Sequence, residues 1–214
     1  MAIWKAALAL LVLAMVLAAC SNAGAFEGTE LTAGEPAMPF ELVSQSGRSV
    51  TLSDYAGKVV LLTFLYTSCP DLCPAVTAEL RDTHKLLGDV ADEVAFIAIS
   101  VDPGRDSVES AREYSDTWGM TERWDFLVGD EETLSPIWKA YYIDPGIDIG
   151  SEDDEHGSAQ DHGGGPLDRL VEDSYLVIHS APVYLIDRKG IRRVLFTPPL
   201  EPEALANDIR RLAD

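Results

Sequence analysis

Cysteine is scarce, at three in 214 residues. That is too few for a disulfide scaffold in a chain this long, so each sulfur needs its own local explanation. Positive charge is scarce as well. Sixteen lysines and arginines stand against 36 aspartates and glutamates, a formal charge of −20, and such a surface repels phosphate backbones, which excludes nucleic acid as a partner. What is present, 47% hydrophobic and 24% charged residues, fits one well-packed domain with short extras and excludes both a disordered chain and a multi-domain assembly.

The opening residues lie outside that domain. Lys5 supplies one positive charge, Ala6 to Leu17 is uninterruptedly apolar, and Leu17-Ala18-Ala19-Cys20 closes the run with small residues, the pattern of an export signal over 1–19. About a dozen apolar residues fall short of the roughly 20 needed to span a bilayer. The ending resembles the lipobox of bacterial lipoproteins, so Cys20 is expected to be cut free and lipidated; the alternative is an uncleaved anchor helix from Trp4. Either way the remainder is extracytoplasmic; with Cys20 lipidated it is a membrane-anchored lipoprotein of the periplasm or the outer face of the cytoplasmic membrane. The anionic body is expected to stand off an anionic membrane. Residues 20–37, punctuated by Gly24, Gly28, Gly34 and Pro36, read as the lipidated cysteine and a flexible linker.

The domain is expected over 38–214. Phe40 to Ser44 and Ser49 to Leu52 predict a β-hairpin turning at Gly47, and Lys58 to Tyr66 predicts a central strand buried on both faces. A helix over Ala75 to Leu87, a second buried strand over Val94 to Val101 and a helix over Ser107 to Trp118 follow. Further strands are expected at Phe126 to Val128, Tyr175 to Ile178, Val183 to Ile186 and Val194 to Phe196, with helices at Glu131 to Tyr141 and Pro202 to Leu212. Alternation of this kind gives an α/β sheet with helices on both faces. Asp148 to Asp168, acidic and rich in glycine and histidine, has little to bury and reads as a solvated insertion.

Chemistry concentrates where the first buried strand ends, at Thr67-Ser-Cys-Pro-Asp-Leu-Cys-Pro74. A cysteine at a helix N-terminus meets orphan amides and the positive end of the dipole, which favour thiolate, so Cys69 is expected to be the more reactive sulfur. A spacing of four residues puts both sulfurs on one helical face about 6 Å apart in rise, close enough to close on each other or to chelate. A purely structural disulfide is the duller alternative, but so short a loop constrains little of the unfolded chain. Two soft thiolates suit copper first and zinc second. For a third ligand, His84 lies about 16 Å further along the helix axis and reads as a surface residue. His156 and His162 sit in the acidic insertion and read as solvated loop residues. His179 ends a strand, where ligands gather in α/β sheets, although a core histidine is the ordinary alternative.

Taken together, Thr67 to Pro74 after an apolar strand, Ile99-Ser-Val-Asp-Pro-Gly-Arg-Asp-Ser107 after the second strand, and Val177-Ile-His-Ser180 before Tyr184-Leu-Ile-Asp187 resemble the Sco/SenC family over about residues 38 to 213. The resemblance implies a thioredoxin-like fold with a central mixed sheet flanked by helices. It also implies Cu(I)/Cu(II) binding through Cys69, Cys73 and His179. The implied role is a copper chaperone serving the CuA centre in subunit II of cytochrome c oxidase, or a reductant of that subunit's cysteines, acting as a monomer. Asp102, Arg105 and Asp106 match the second motif and are expected to shape the loop beside the site. Pro182 departs from the family pattern and resembles the cis-proline of thioredoxins, which would favour thiol-disulfide exchange. Two rival readings follow: a thiol-disulfide oxidoreductase using Cys69 and Cys73 as a redox-active catalytic pair, and, more weakly, a peroxidase-like thiol enzyme.

Overall fold

The computed structural model describes residues 25–148, 176–178 and 180–214. Cys20, His156, His162 and His179, with the acidic insertion beyond Asp148, lie outside the described residues. Strand β1 (Thr29–Glu30) precedes the hairpin β2 (Glu41–Ser44) and β3 (Ser49–Thr51), which turns at Gly47 with φ of 76°. Then come β4 (Val59–Leu65), α1 (Leu72–Leu87), β5 (Val94–Ser100), α2 (Val108–Trp118), β6 (Asp125–Val128), α3 (Glu131–Ala140) and β7 (Gly146–Asp148). The chain closes with β8 (Leu176–Ile178), β9 (Val183–Ile186), β10 (Arg192–Phe196) and α4 (Pro202–Ala213).

Eight strands form one sheet in the order β1-β10-β9-β4-β5-β6-β2-β3. β4, β5 and β6 run parallel, while β9 and β2 flank them antiparallel, so the sheet is mixed. Every residue of β4 and β5 is buried, as expected for strands covered on both faces. Register decides which helix covers which face. Thr63 pairs with Ala98 and Ala98 with Phe126, so all three point to one side, where Tyr114 of α2 meets the Phe126 ring edge-on at 5.8 Å. Thr77 of α1 bonds the Tyr114 hydroxyl on the same side, and α1 packs on α4. Leu62, Phe64 and Tyr184 share the opposite side, where Tyr141 at the end of α3 lies 5.4 Å from Phe64 and 5.0 Å from Tyr184. Each fully buried Leu, Ile or Phe in these layers contributes roughly 1.5–3 kcal/mol.

Local chemistry sets the helix ends. The Ser107 hydroxyl accepts the Ser110 N–H at 3.1 Å to start α2, and Gly119 ends it in the left-handed region at φ of 68°. Asp130 accepts the Thr133 N–H at 2.9 Å to start α3, and Pro202 opens α4.

Four expectations need correction. Part of the expected linker is held in the fold: β1 pairs with β10, Leu31 donates to the Arg193 carbonyl at 2.8 Å, and Ala37 donates to the Gly190 carbonyl at 2.8 Å. Glycine and proline content hid this, because edge pairing uses backbone groups that composition does not report. The strand before His179 lies outside the main sheet and pairs with β7 instead. Helix α1 begins at Leu72, three residues before the apolar periodicity does. Among the described residues the cis peptide bond joins Pro198 and Pro199, so Pro182 does not reproduce the cis-proline of thioredoxins.

Candidate metal centre

β4 delivers the chain from the middle of the sheet to its C-terminal edge, where Tyr66 to Asp71 turn it into α1. The Asp71 side chain makes no cap for that helix. The Sγ of Cys69 takes the part instead and accepts the Cys73 N–H at 3.3 Å. Pro74, next in line, has no N–H to satisfy. Cys69 therefore lies in the turn before the helix and Cys73 at its second position, which corrects the expectation that both stand on one helical face.

The two sulfurs are not joined as a disulfide; Cys73 is fully buried and Cys69 half-buried. The Cys73 thiol donates to Cys69, which lowers the Cys69 pKa to about 5 against the opposing effect of burial; the N–H groups of Cys73 and Asp71 and the Tyr66 hydroxyl add to the lowering. The same hydrogen bond and burial push the Cys73 thiol up. Thus the outer sulfur is held as a thiolate and the inner one as a thiol.

The second motif closes around this turn. Asp106 is buried, and its carboxylate accepts the Thr67 N–H at 3.0 Å, the Thr67 hydroxyl at 2.6 Å and the Ser100 hydroxyl at 2.5 Å. Burial raises its pKa, and these donors oppose that rise. Asp102 accepts from Arg105 Nε at 2.6 Å, and the Arg105 guanidinium lies 5.7 Å from the centroid of the Tyr66 ring. Tyr66, in turn, receives the Val177 N–H and donates to Cys69; burial and that thiolate raise its own pKa. Asp102, Arg105 and Asp106 are thus coupled to the cysteine turn through Tyr66 and Thr67. Neither Tyr66 nor Thr67 was a candidate in the sequence, although both adjoin the cysteine motif at the end of its strand. A cavity of about 210 Å³ beside them is walled by Asp102, Trp138 and Val177.

Among the described residues no group of three histidine, cysteine, aspartate or glutamate side chains is arranged to hold a metal. The two sulfurs converge, and His179 follows two residues after the Val177 that reaches Tyr66. His84 is not a plain surface residue: its ring packs on Phe96 at 5.3 Å, and burial followed by Arg123 lowers its pKa.

A profile of the SCO1/SenC family matches residues 29–214. The SCO1 protein homolog of Bacillus subtilis is 34% identical over 92 residues, 42% of this chain and 48% of the relative, so the chain spans about half the length of that curated relative. The copper-bound structure of Bradyrhizobium japonicum ScoI has 29% identity and a TM-score of 0.66, and the match covers 83% of this chain and 99% of that one. BsSco, described with a disulfide switch as a member of the Sco family of cytochrome c oxidase assembly proteins, shares the fold at 22% identity and a TM-score of 0.62, covering 87% and 96%.

Proposed function

The chain belongs to the SCO1/SenC family, and from that premise we propose that it is an extracytoplasmic copper chaperone, tethered to a membrane by lipid on Cys20. It holds copper through Cys69, Cys73 and His179 and hands it to the CuA centre in subunit II of cytochrome c oxidase. The observation that carries this reading is the hydrogen-bonded sulfur pair, with one thiolate at the surface and one thiol behind it. Among the described residues no helix is long and apolar enough to cross a membrane.

Copper is cargo here. The Cys69 thiolate is the half-exposed first contact for Cu(I), and Cys73 yields its proton as the second sulfur engages. A partner thiolate approaching from the Cys69 side displaces one sulfur at a time, so the ion passes without being released to water. Oxidation of the pair to a disulfide removes both sulfur donors. The test is an anaerobic copper titration of the reduced protein with X-ray absorption spectroscopy. One equivalent on two sulfurs and one nitrogen is expected, with the nitrogen lost in His179→Ala and tight binding lost in Cys69→Ser and Cys73→Ser. Unchanged affinity in both cysteine variants would sink the reading.

The split between the two thiols supports a second reading as a thiol-disulfide reductant. The Cys69 thiolate attacks a partner disulfide and forms a mixed disulfide as one partner thiolate leaves. Cys73, giving up its proton, then attacks Cys69, so the pair ends oxidised and the partner carries two thiols. Reduction by the metal-free protein that persists in His179→Ala favours this reading over the chaperone.

A further inference from the structure

The chain entering the domain from its N-terminal side is clamped. Asp208 of α4 is fully buried, and its carboxylate accepts the Glu27 N–H at 3.0 and 2.9 Å and the Gly28 N–H at 2.9 Å. Such charge-assisted bonds from backbone donors to a desolvated carboxylate are among the stronger polar contacts available to a fold. Around the clamp, Asn207 donates to the Glu27 side chain at 2.8 Å, and Arg211 donates to the Ala25 carbonyl while its guanidinium lies 5.4 Å from the Phe26 ring. Gly28 is tight against β10: a Cβ there would meet the Phe196 ring and Val194 at 2.6 Å.

This clamp sits at the pole opposite the cysteines. Arg210 donates to the Leu86 carbonyl, so the last turns of α1 and α4 and the clamped Ala25 share one end of the molecule. The cysteines stand at the other end of α1, whose 16 residues span about 24 Å. From Cys20 to Ala25 the chain has five Cα steps, a reach of at most about 18 Å. If Gly28 were released and the first held residue were Thr29, nine steps would reach about 32 Å. The clamp therefore decides whether the tether is shorter or longer than the helix that separates the two poles.

We propose that the pole formed by Phe26, Leu86, Arg210 and Arg211 is the face laid against the lipid bilayer, so that the cysteine pole is held outward, toward partners. This rests on the reading that Cys20 carries lipid. The surface suits the occupant. Leu86 is 41% exposed, Phe26 is half-buried beside a cation, and the two arginines at the end of α4 can run their aliphatic stems along apolar surface while their heads meet phosphate. The net negative charge of the body argues for standing off, but that repulsion is screened over roughly 8 Å in physiological salt, and the tether of about 18 Å bounds how far this pole can retreat.

The test uses the full lipidated protein in vesicles of phosphatidylethanolamine and phosphatidylglycerol, footprinted by hydroxyl radicals and read by mass spectrometry. It is compared with a variant carrying twelve Gly/Ser residues inserted after Ser21, which lengthens the tether without touching the fold. Phe26 and Leu86 are expected to be oxidised about fivefold more slowly in the natural protein than in the insertion variant, with Leu72 at the cysteine end unchanged. Equal rates at Leu86 in the two proteins, with lipid found on Cys20, overturn the pose and leave the chaperone reading standing. Absence of lipid on Cys20 overturns the anchor and the pose together. Asp208→Asn, shown to be folded by circular dichroism, is expected to raise the Leu86 rate as the insertion does; an unchanged rate removes the clamp from the explanation.

Discussion

The Sγ of Cys69 accepts the N–H of Cys73 at 3.3 Å, so the first cysteine of the pair caps the helix that carries the second. One atom thereby serves as helix cap, thiolate and outer donor of the candidate copper site. Loss of that sulfur, by substitution or by engagement with a partner, also loosens the first turn of α1.

Alkylation of the reduced, metal-free protein with iodoacetamide should be half-maximal near pH 5 and confined to Cys69, because the Cys73 thiol that stabilises the thiolate is itself pushed up. The depressed folded-state pKa also has a sign in stability. Its contribution is present above the unfolded thiol range and is lost as pH falls through about 5, so the melting temperatures of the natural protein and Cys69→Ser should diverge as pH rises over that window. A modification midpoint near pH 8 to 9 would contradict the assignment.

Asp106→Ala should destabilise the protein by about 2–4 kcal/mol in urea unfolding, since it orphans the Thr67 N–H and two hydroxyls beside the cysteine turn. The same change should speed backbone exchange at Thr67, read by hydrogen-deuterium exchange. A loss below about 0.5 kcal/mol would mean that water replaces the carboxylate there.

His84 should make the fold acid-sensitive below the ordinary imidazole range. Burial against Phe96 and the nearby Arg123 lower its pKa below the ordinary value, so stability is full above about 6.5 and falls as pH drops through the folded-state value. His84→Phe, which keeps a ring on Phe96, should flatten the melting temperature between pH 7 and pH 5. An unchanged slope would place the sensitivity elsewhere.

Gly28→Ala should detach the N-terminal segment without disturbing the cysteine site. The added methyl meets the Phe196 ring and Val194 at 2.6 Å, an overpacking that typically costs about 1–3 kcal/mol. Limited proteolysis near Phe26 should accelerate, while the pH midpoint for Cys69 alkylation stays where it is.

The alternating α/β architecture was legible in the sequence, because the runs at Val59–Leu65 and Val94–Ser100 are apolar but for Thr63 and Ser100, the composition of strands buried on both faces. Spacing and a place at the start of a helix singled out the cysteine pair as the candidate reactive feature. Three motifs in order were enough to point to the family. That Cys69 is the more thiolate-like sulfur is expected from its place before the helix; the structure adds the hydrogen bonds among Tyr66, Cys69 and Cys73, all within one eight-residue stretch, that also push the inner thiol up. Tertiary structure alone decided that Asp106, 39 residues after Thr67, anchors the cysteine turn. It also decided that Glu27 and Gly28 are seized by Asp208, 180 residues away at its nearest, where composition had predicted a loose linker. Periodicity and motif spacing are properties of neighbouring residues. What anchors the cysteine turn and what holds Glu27 and Gly28 depend on which distant donors and acceptors the fold brings within about 3 Å, and composition carries no record of that.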